Sequence, residues 1–303
     1  MPTAAYTSLD GPRITVDALL KDPLNIPALV LSMMDQKFIV DAVLRPGGLA
    51  ESGAVRYWES TPMFADDTPE IRAEFAEVPV VPTSVGTPRV VFAHERAMAI
   101  MVSDEMRRRR VVDPVNQQLT QVQNTMVYSW NNAFFSAVIA NANVQTLAVS
   151  NAWATTNATI RADIANAVSM IETAQVASSL GFQQPLGFEA DTMIIGYGTK
   201  NTLLQSDSFA KPYLGDIASE NLQYTGVLPN KIFNLDVLLT HQMPAGNAII
   251  MQRGRAGFVA DELPMQATPL YRDEPRKASR SDVQRASAVG LDQPKAIVVL
   301  TGI

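Results

Sequence analysis

The longest regular pattern of apolar positions runs from Asp113 to Asn141. Val115, Leu119, Val122, Met126, Trp130, Ala133 and Ala137 recur there at spacings of three and four, which places them on one stripe of an α-helix. Asp113 supplies an N-cap, and Pro114 fills the first helical position, where its missing N–H costs nothing. At 1.5 Å per residue such a rod is about 40 Å long. The chain ahead of it reads as mostly extended. A long rod behind a strand-like arm points to a building block rather than a compact enzyme.

Pro2, Pro12, Pro23 and Pro27 interrupt residues 1–35, which read as an arm with short helical stretches at Asp17–Lys21 and Ile26–Met34. Lys37–Leu44 reads as a strand, and Arg45-Pro46-Gly47-Gly48 as a turn. Ala54–Glu59 and Ile71–Val80 alternate as two strands of a long hairpin, with Thr61-Pro62 and Asp66-Asp67-Thr68-Pro69 marking its tip. Two-stranded ribbons are marginal in water unless they lie on something else, and this one carries few apolar residues per face. Asp66, Asp67, Glu70, Glu74 and Glu77 make it acidic. It is expected to lie on a neighbouring subunit; the alternative is a lid on its own domain. Val90–Val102 is a further strand. Ser103 then caps a short helix with Asp104 and Glu105 in its first turn and Arg107, Arg108, Arg109 and Arg110 near its end, as the helix dipole favours.

Beyond the rod, Asn143–Thr159 reads as a loop or short hairpin and Thr159–Thr173 as a second helix. Thr192–Ile195 is a short buried strand, Gly196–Leu204 a passage from strand to helix, and Ile232–Leu239 and Ala248–Met251 are further strands. Together they predict an α/β middle domain over roughly residues 142–250. Ala256–Ala260 is a weaker strand. The tail mixes Arg272, Arg276, Lys277, Arg280 and Arg285 with Asp273, Glu274 and Asp282 before a last apolar strand, Ala296–Leu300, expected to return beside the rod.

Composition narrows the function. The chain has 303 residues, of which 47% are hydrophobic and 18% charged, against roughly 25% charged in ordinary globular proteins; a low-charge surface fits a protein that hides much of itself against neighbours. A net charge of −6 argues against wrapping nucleic acid over the whole surface. There is no cysteine, which excludes disulfides and thiolate-bound zinc or iron–sulfur sites. The first residues lack the basic-then-apolar pattern of a secretory leader and no run of about eighteen apolar residues occurs, so neither a leader nor a membrane-spanning helix is expected.

Candidate chemistry is thin. His94 and His241 stand far apart with no clustered ligands, so no metal site is expected. Gly196-Tyr197-Gly198-Thr199-Lys200 lacks phosphate-loop spacing and reads as a tight turn into a helix. Asp66 and Asp67 sit on a solvated tip, without the tuned surroundings catalytic carboxylates need. No catalytic, cofactor or metal residue is assigned. The arginine run is expected to meet carboxylates of an adjoining subunit, with ordinary solvent exposure, or one or two facing nucleic acid, as the alternatives. Tyr57, Trp58 and Phe64 in the ribbon, and Phe75 on its return, are the expected intersubunit anchors, since aromatic groups carry much of the energy at interfaces.

The order of these pieces resembles a tailed-phage major capsid protein of the Hong Kong 97 type. The resemblance rests on Val102-Ser103-Asp104-Glu105-Met106 ahead of a spine, Arg255–Pro264 ("RAGFVADELP") and the closing "AIVVLTGI". It implies an α+β fold: an N-terminal arm at 1–44, an extended E-loop hairpin at 45–82, a peripheral domain with a long spine helix at 83–141, an α/β axial domain at 142–250, and a return to the peripheral domain at 251–303. It also implies many copies joined as pentamers and hexamers in an icosahedral virion shell, assembled in host cytoplasm around double-stranded DNA that is bound without sequence specificity. Portal, scaffolding and decoration proteins are the implied partners, with no membrane and no cofactor. Some members crosslink an E-loop lysine to a neighbour's asparagine; no lysine lies between Lys37 and Lys200, so noncovalent contacts are expected. The chain starts almost directly with the arm, so any scaffold is expected to be a separate protein. The rival readings are an encapsulin-type nanocompartment, whose cargo-docking N-terminal helix the prolines before residue 28 oppose, and an α/β enzyme, for which the sequence specifies no pocket.

Overall fold

The computed structural model of the chain describes residues 38–62, 64–65, 71–78, 80, 85–109, 113–177, 183–206, 209 and 231–303, and the backbone alone of 107 and 113–116. Helix α1 (Ile39–Val43), strand β1 (Arg45–Leu49) and strand β2 (Ala54–Glu59) come first. β3 (Thr87–Phe92) and β4 (His94–Ser103) lead to α2 (Asp104–Arg108) and the long α3 (Asp113–Ala140). β5 (Gln145–Ala148), α4 (Ile160–Glu172), β6 (Gln175–Ala177), β7 (Gln183–Pro185), β8 (Thr192–Gly196) and α5 (Tyr197–Gln205) follow. The remainder is strand: β9 (Lys231–Ile232), β10 (Leu235–Thr240), β11 (Asn247–Met251), β12 (Phe258–Ala267), β13 (Tyr271–Asp273), β14 (Ala278–Gly290) and β15 (Ile297–Thr301).

Among the described residues these strands make two larger sheets. In the five-stranded one, β14 is central, antiparallel to β4, β12 and β13, and β1 runs parallel to β12. The six-stranded sheet has the order β5-β15-β11-β8-β10-β9. Its middle strands read as unbroken apolar runs, Met193–Ile195, Ala248–Met251 and Ile297–Leu300, all buried. Such runs belong to strands covered on both faces. Ile160, Ile164, Ala167 and Ile171 of α4 are buried in that same core at helical spacing. The result is a mixed α/β fold.

Helix α3 serves both sheets. Leu119, Val122, Met126, Val127 and Trp130 pack with Ile100 of β4 and Val283 of β14, while Phe134, Phe135 and Val138 belong to the core of the six-stranded sheet. With the Val115 side chain outside the described residues, the expected stripe therefore holds from Leu119 through Trp130. Beyond it the buried face moves from Ala133 and Ala137, which are half-buried, to the larger neighbours that meet the second core. The Ser103 cap is present: Met106 N–H donates to its Oγ at 3.2 Å.

Several expectations are corrected. Residues 39–43 are helical rather than extended, because Val40, Val43 and Leu44 bury one short helical face. Arg45-Pro46-Gly47-Gly48 is a strand, not a turn. A Cβ on Gly47 would lie 2.4 Å from Cδ2 of Phe258, and that contact requires glycine there. The ribbon's return strand is β3, not Ile71–Val80. The segment Val90–Val102 divides at Ala93, whose N–H donates to the Gly53 carbonyl at 2.8 Å; before it the strand pairs with β2, after it with β14. The last strand lies between β5 and β11, not beside the rod.

The charged tail conceals the 13-residue strand β14. Its cations are paired within the chain. Arg272 forks onto Asp104 at 2.6 Å, Arg280 meets Asp282 at 2.6 Å, and Arg276 and Lys277 meet Asp273 and Glu274. Arg285 is 5% exposed. It grips both oxygens of Asp41 at 2.8 and 2.9 Å and reaches Asp261 at 3.1 Å. Its guanidinium lies over the rings of Phe38 and Trp130, 5.2 and 5.5 Å from their centroids. Its carboxylate partners are partly hydrated, so truncating Arg285 forfeits its packing and charged hydrogen bonds rather than stranding a buried charge, at about 1.5–3 kcal/mol. Arg285→Ala is therefore expected to lower unfolding free energy by about that amount, with Arg285→Lys only partly restoring it because an ammonium cannot fork. Urea denaturation of the unassembled chain checks this, and a loss under about 1 kcal/mol would contradict it.

Candidate assembly surface

Strands β2 and β3 form a ribbon, paired from Ala54↔Phe92 to Glu59↔Thr87. Alternate residues face opposite ways. Val55, Tyr57 and Glu59 turn inward, Arg56 and Trp58 outward. On the inner side Val55 and Tyr57 pack on Ala50, Phe258 and Ala260. Tyr57 meets Phe258 edge-on, ring centroids 5.3 Å apart. The Phe258 ring also lies against Gly290, where a Cβ would come within 2.4 Å. One aromatic ring thus fixes β1, β14 and the ribbon together.

Polar contacts lock the ribbon's base. Glu59 is 3% exposed; it accepts from Arg89 Nε at 2.8 Å and Asn141 Nδ2 at 3.4 Å. Burial alone would raise its pKa, but hydrogen bonds from Asn143, Arg89 and Asn141 and the Arg89 charge outweigh it and hold the carboxyl below its ordinary value. Since Asn141 follows the last turn of α3, the ribbon is tied to the end of the long helix. Ser60 N–H donates to the Asp292 carbonyl at 2.8 Å, and the Asp292 carboxylate accepts from Arg45 at 2.6 Å. Burial raises the Asp292 pKa despite Arg45. Gln184 Nε2 reaches the Ala65 carbonyl at 2.9 Å.

The outer side is different. Trp58, Val90 and Phe92 of the ribbon are exposed, as are Leu49 of β1 and Phe64, Ile71, Phe75, Val78, Val80 and Val85 in the segment that joins β2 to β3, with Ile71 and Phe75 almost wholly in solvent. Elsewhere exposed large apolar residues stand apart, as Tyr128, Ile139, Tyr197, Phe233 and Tyr271 do. Scattered apolar groups are ordinary, whereas a concentration of this kind marks an interaction surface. The structure leaves three expected anchors, Trp58, Phe64 and Phe75, open to solvent, and turns the fourth, Tyr57, onto its own body. Asp66, Asp67, Glu70 and Arg110, and the side chain of Arg107, lie outside the described residues. Arg108 is exposed, and Arg109 pairs with Glu105 one turn back at 2.6 Å. Reading the sequence missed Ile71, Val78, Val80, Val85, Val90 and Phe92. For Val78, Val80 and Val85 the signal was valines set among prolines, an apolar pattern outside any strand.

Other candidates yield no chemistry. His94 is exposed, and His241 stacks on Tyr197 with ring centroids 3.9 Å apart. Gly196 ends β8 and α5 starts at Tyr197, the expected turn into a helix. Among the described residues no three His, Asp or Glu side chains converge on a metal position, and no helix is long and apolar enough to cross a membrane.

Comparison with known proteins supplies the context. The chain is similar in fold to a virus-like particle protein from Pyrococcus furiosus, at 13% identity and TM-score 0.60 over 91% of this chain and 97% of that one. A phage-related protein from Bordetella bronchiseptica RB50 superposes with TM-score 0.60 at 11% identity, over 91% of this chain and 96% of that one. A Microbacterium phage Oxtober96 structure does so with TM-score 0.59 at 15% identity, over 87% and 90%. No curated protein matches the chain. The family described as phage capsid protein matches residues 87–300, from the ribbon's return strand to the last strand of the six-stranded sheet. That span takes in most of the chain, so the protein belongs to the phage capsid protein family, a family of non-catalytic structural proteins with a capsid-assembly role.

Proposed function

We propose that this chain is the major capsid protein of a tailed bacteriophage, of the Hong Kong 97 type, assembling as pentamers and hexamers into an icosahedral shell around double-stranded DNA. In this reading residues 1–44 are the arm, β2 and β3 belong to the E-loop, α3 is the spine helix, and the six-stranded sheet with α4 and α5 is the axial domain. The E-loop, expected to end at residue 82, is drawn to Phe92 because β3 is its return strand. Residues 83–141 remain peripheral from β4 onward, and the return at 251–303 gives its last strand to the axial sheet. The observation that carries the reading is the ribbon itself. It is anchored on one side and, among the described residues, apolar and uncovered on the other.

Energetics favour repetition over strength. Apolar burial is worth about 25 cal/mol per Å², and association entropy and polar desolvation cancel much of it. A contact repeated around a closed shell holds collectively while each copy can still detach and correct its position. The ribbon has no lysine, so the shell is held without lysine–asparagine crosslinks. Portal, scaffolding and decoration proteins are partners under this reading, and the virion is its place.

Electron microscopy of the purified chain is the direct test. Closed shells filled with DNA support the assignment; shells filled with protein point to a nanocompartment, and a lasting monomer defeats both. Trp58→Ala is expected to weaken each intersubunit contact by about 2 kcal/mol, or about thirty-fold, and to cut shell yield while circular dichroism of the subunit is unchanged. Normal yield contradicts an anchoring role for Trp58.

Acid should act on the ribbon's base. The folded-state pKa of Glu59 is depressed, so its contribution is complete above the unfolded value, about pH 4.3, and is lost as pH falls through the folded value. Asp292, raised by burial, works the other way and favours the fold as it protonates. Hydrogen exchange of β2 and β3, relative to β8 and β11, is therefore expected to rise below about pH 4. In Glu59→Gln it should be high already at neutral pH. Identical pH profiles for the two chains refute the anchor.

A further inference from the structure

Between β1 and the free edge of β2 lies a cleft of about 440 Å³. Its walls include Val55, Trp58 and Phe258, and its charged groups are Arg45, Arg56 and Asp292. Arg45 is already committed to Asp292 at 2.6 Å. Arg56 is exposed, rests 5.8 Å from the Trp58 ring and has no carboxylate partner among the described residues. The cleft therefore offers one unneutralised guanidinium beside an aromatic face.

The opposite chemistry sits on the same ribbon. Residues 71–78 are exposed throughout, and Ala76 N–H closes a turn onto the Ala73 carbonyl at 3.1 Å. Within that turn Phe75 is held at φ 65°, with its side chain almost entirely in solvent. A bulky residue at positive φ is an outlier, and no contact among the described residues offsets it. Glu74 and Glu77 flank the ring without partners among the described residues, and Arg72 is the single base of the segment. With one net negative charge, the turn matches the cleft's one net positive charge.

We propose that the turn at residues 71–78 of one copy docks into the cleft between β1 and β2 of a second copy, with Glu74 and Glu77 meeting Arg56 and the Phe75 ring covering Trp58. This rests on the reading above that copies of the chain assemble, and it names the receptor for the ribbon. Tip to base is a head-to-tail contact, the kind that closes into rings when its rotation permits. The complementary charges set register and orientation, and the aromatic pair gives burial. Since each copy carries both halves, every subunit of a ring is donor and acceptor at once.

The cysteine-free chain allows a direct test, because introduced thiols have no competitors. Arg56→Cys and Phe75→Cys chains are mixed, assembled and oxidised, and the disulfide is mapped by peptide mass spectrometry. A bond joining positions 56 and 75 of different copies is expected. Separately, Arg56→Glu and the pair Glu74→Arg with Glu77→Arg are each expected to slow assembly about tenfold in light scattering, and the three changes together should restore most of the rate. Shells that form without the 56–75 disulfide, and at full rate in both reversed-charge chains, overturn the docking and leave the capsid assignment standing. An unaltered chain that never forms shells overturns that assignment and this contact with it.

Discussion

A guanidinium sealed beneath two aromatic rings fixes how the five-stranded sheet meets the long helix. Arg285 projects from the central strand β14, grips Asp41 of α1 and Asp261 of β12, and packs on Phe38 and on Trp130 of α3. Burying a charge stabilises little by itself; its value lies in making any other arrangement leave unpaired charge in the interior. Four elements distant in sequence are thereby held to one relative placement. Asn131 adds to this by accepting the Ile39 N–H at 3.1 Å, which sets α1 against the same turn of the helix.

That placement determines the rest. The chain passes from the five-stranded sheet to the six-stranded one along α3, returns between β11 and β12, and crosses again between β14 and β15. Neither sheet is built from one continuous stretch, so neither completes its core without the other. The ribbon is the element left outside this interlock. Its base inherits rigidity through Glu59, Asn141 and Phe258, whereas its outer face has no second layer to pack against among the described residues. A rigid root with an uncovered face is the combination an assembling subunit needs, because the contact surface is displayed before the partner arrives.

The long helix, the Ser103 cap, helix α4 and the buried strands β8, β11 and β15 were legible because each satisfies its own local rule of period, cap or apolar run. What was not legible depended on contacts across the chain. β14 looks like a solvated charge run because Arg285 finds its carboxylates on α1 and β12, partners that no local window contains, while Arg280 meets Asp282 within the strand. The return strand was misplaced because Ile71–Val80 alternates as well as Thr87–Phe92 does. Only pairing with Ala54–Glu59 distinguishes them, and register is a tertiary property. At the site, the aromatic anchors were visible as residue types. Which face each one takes was not, since a shift of one residue sends every side chain to the other side.

Charge distribution carries the argument one step further. Arg272, Arg276, Lys277, Arg280 and Arg285 are all neutralised within the chain, and Glu59 and Asp292 are held by Arg89 and Arg45. A subunit that must meet identical copies at high concentration gains from this, because unpaired surface charge brings wrong encounters as readily as right ones. Specificity is a difference between affinities, and it rests on the few charges left without partners. Among the described residues these include Arg56 at the root and Glu74 and Glu77 at the turn, opposite in sign and each near an exposed aromatic ring. Root against root or turn against turn sets like charges together. Root against turn alone brings both charge and apolar surface into register, so the same few residues that attract the correct pairing also repel the symmetric ones.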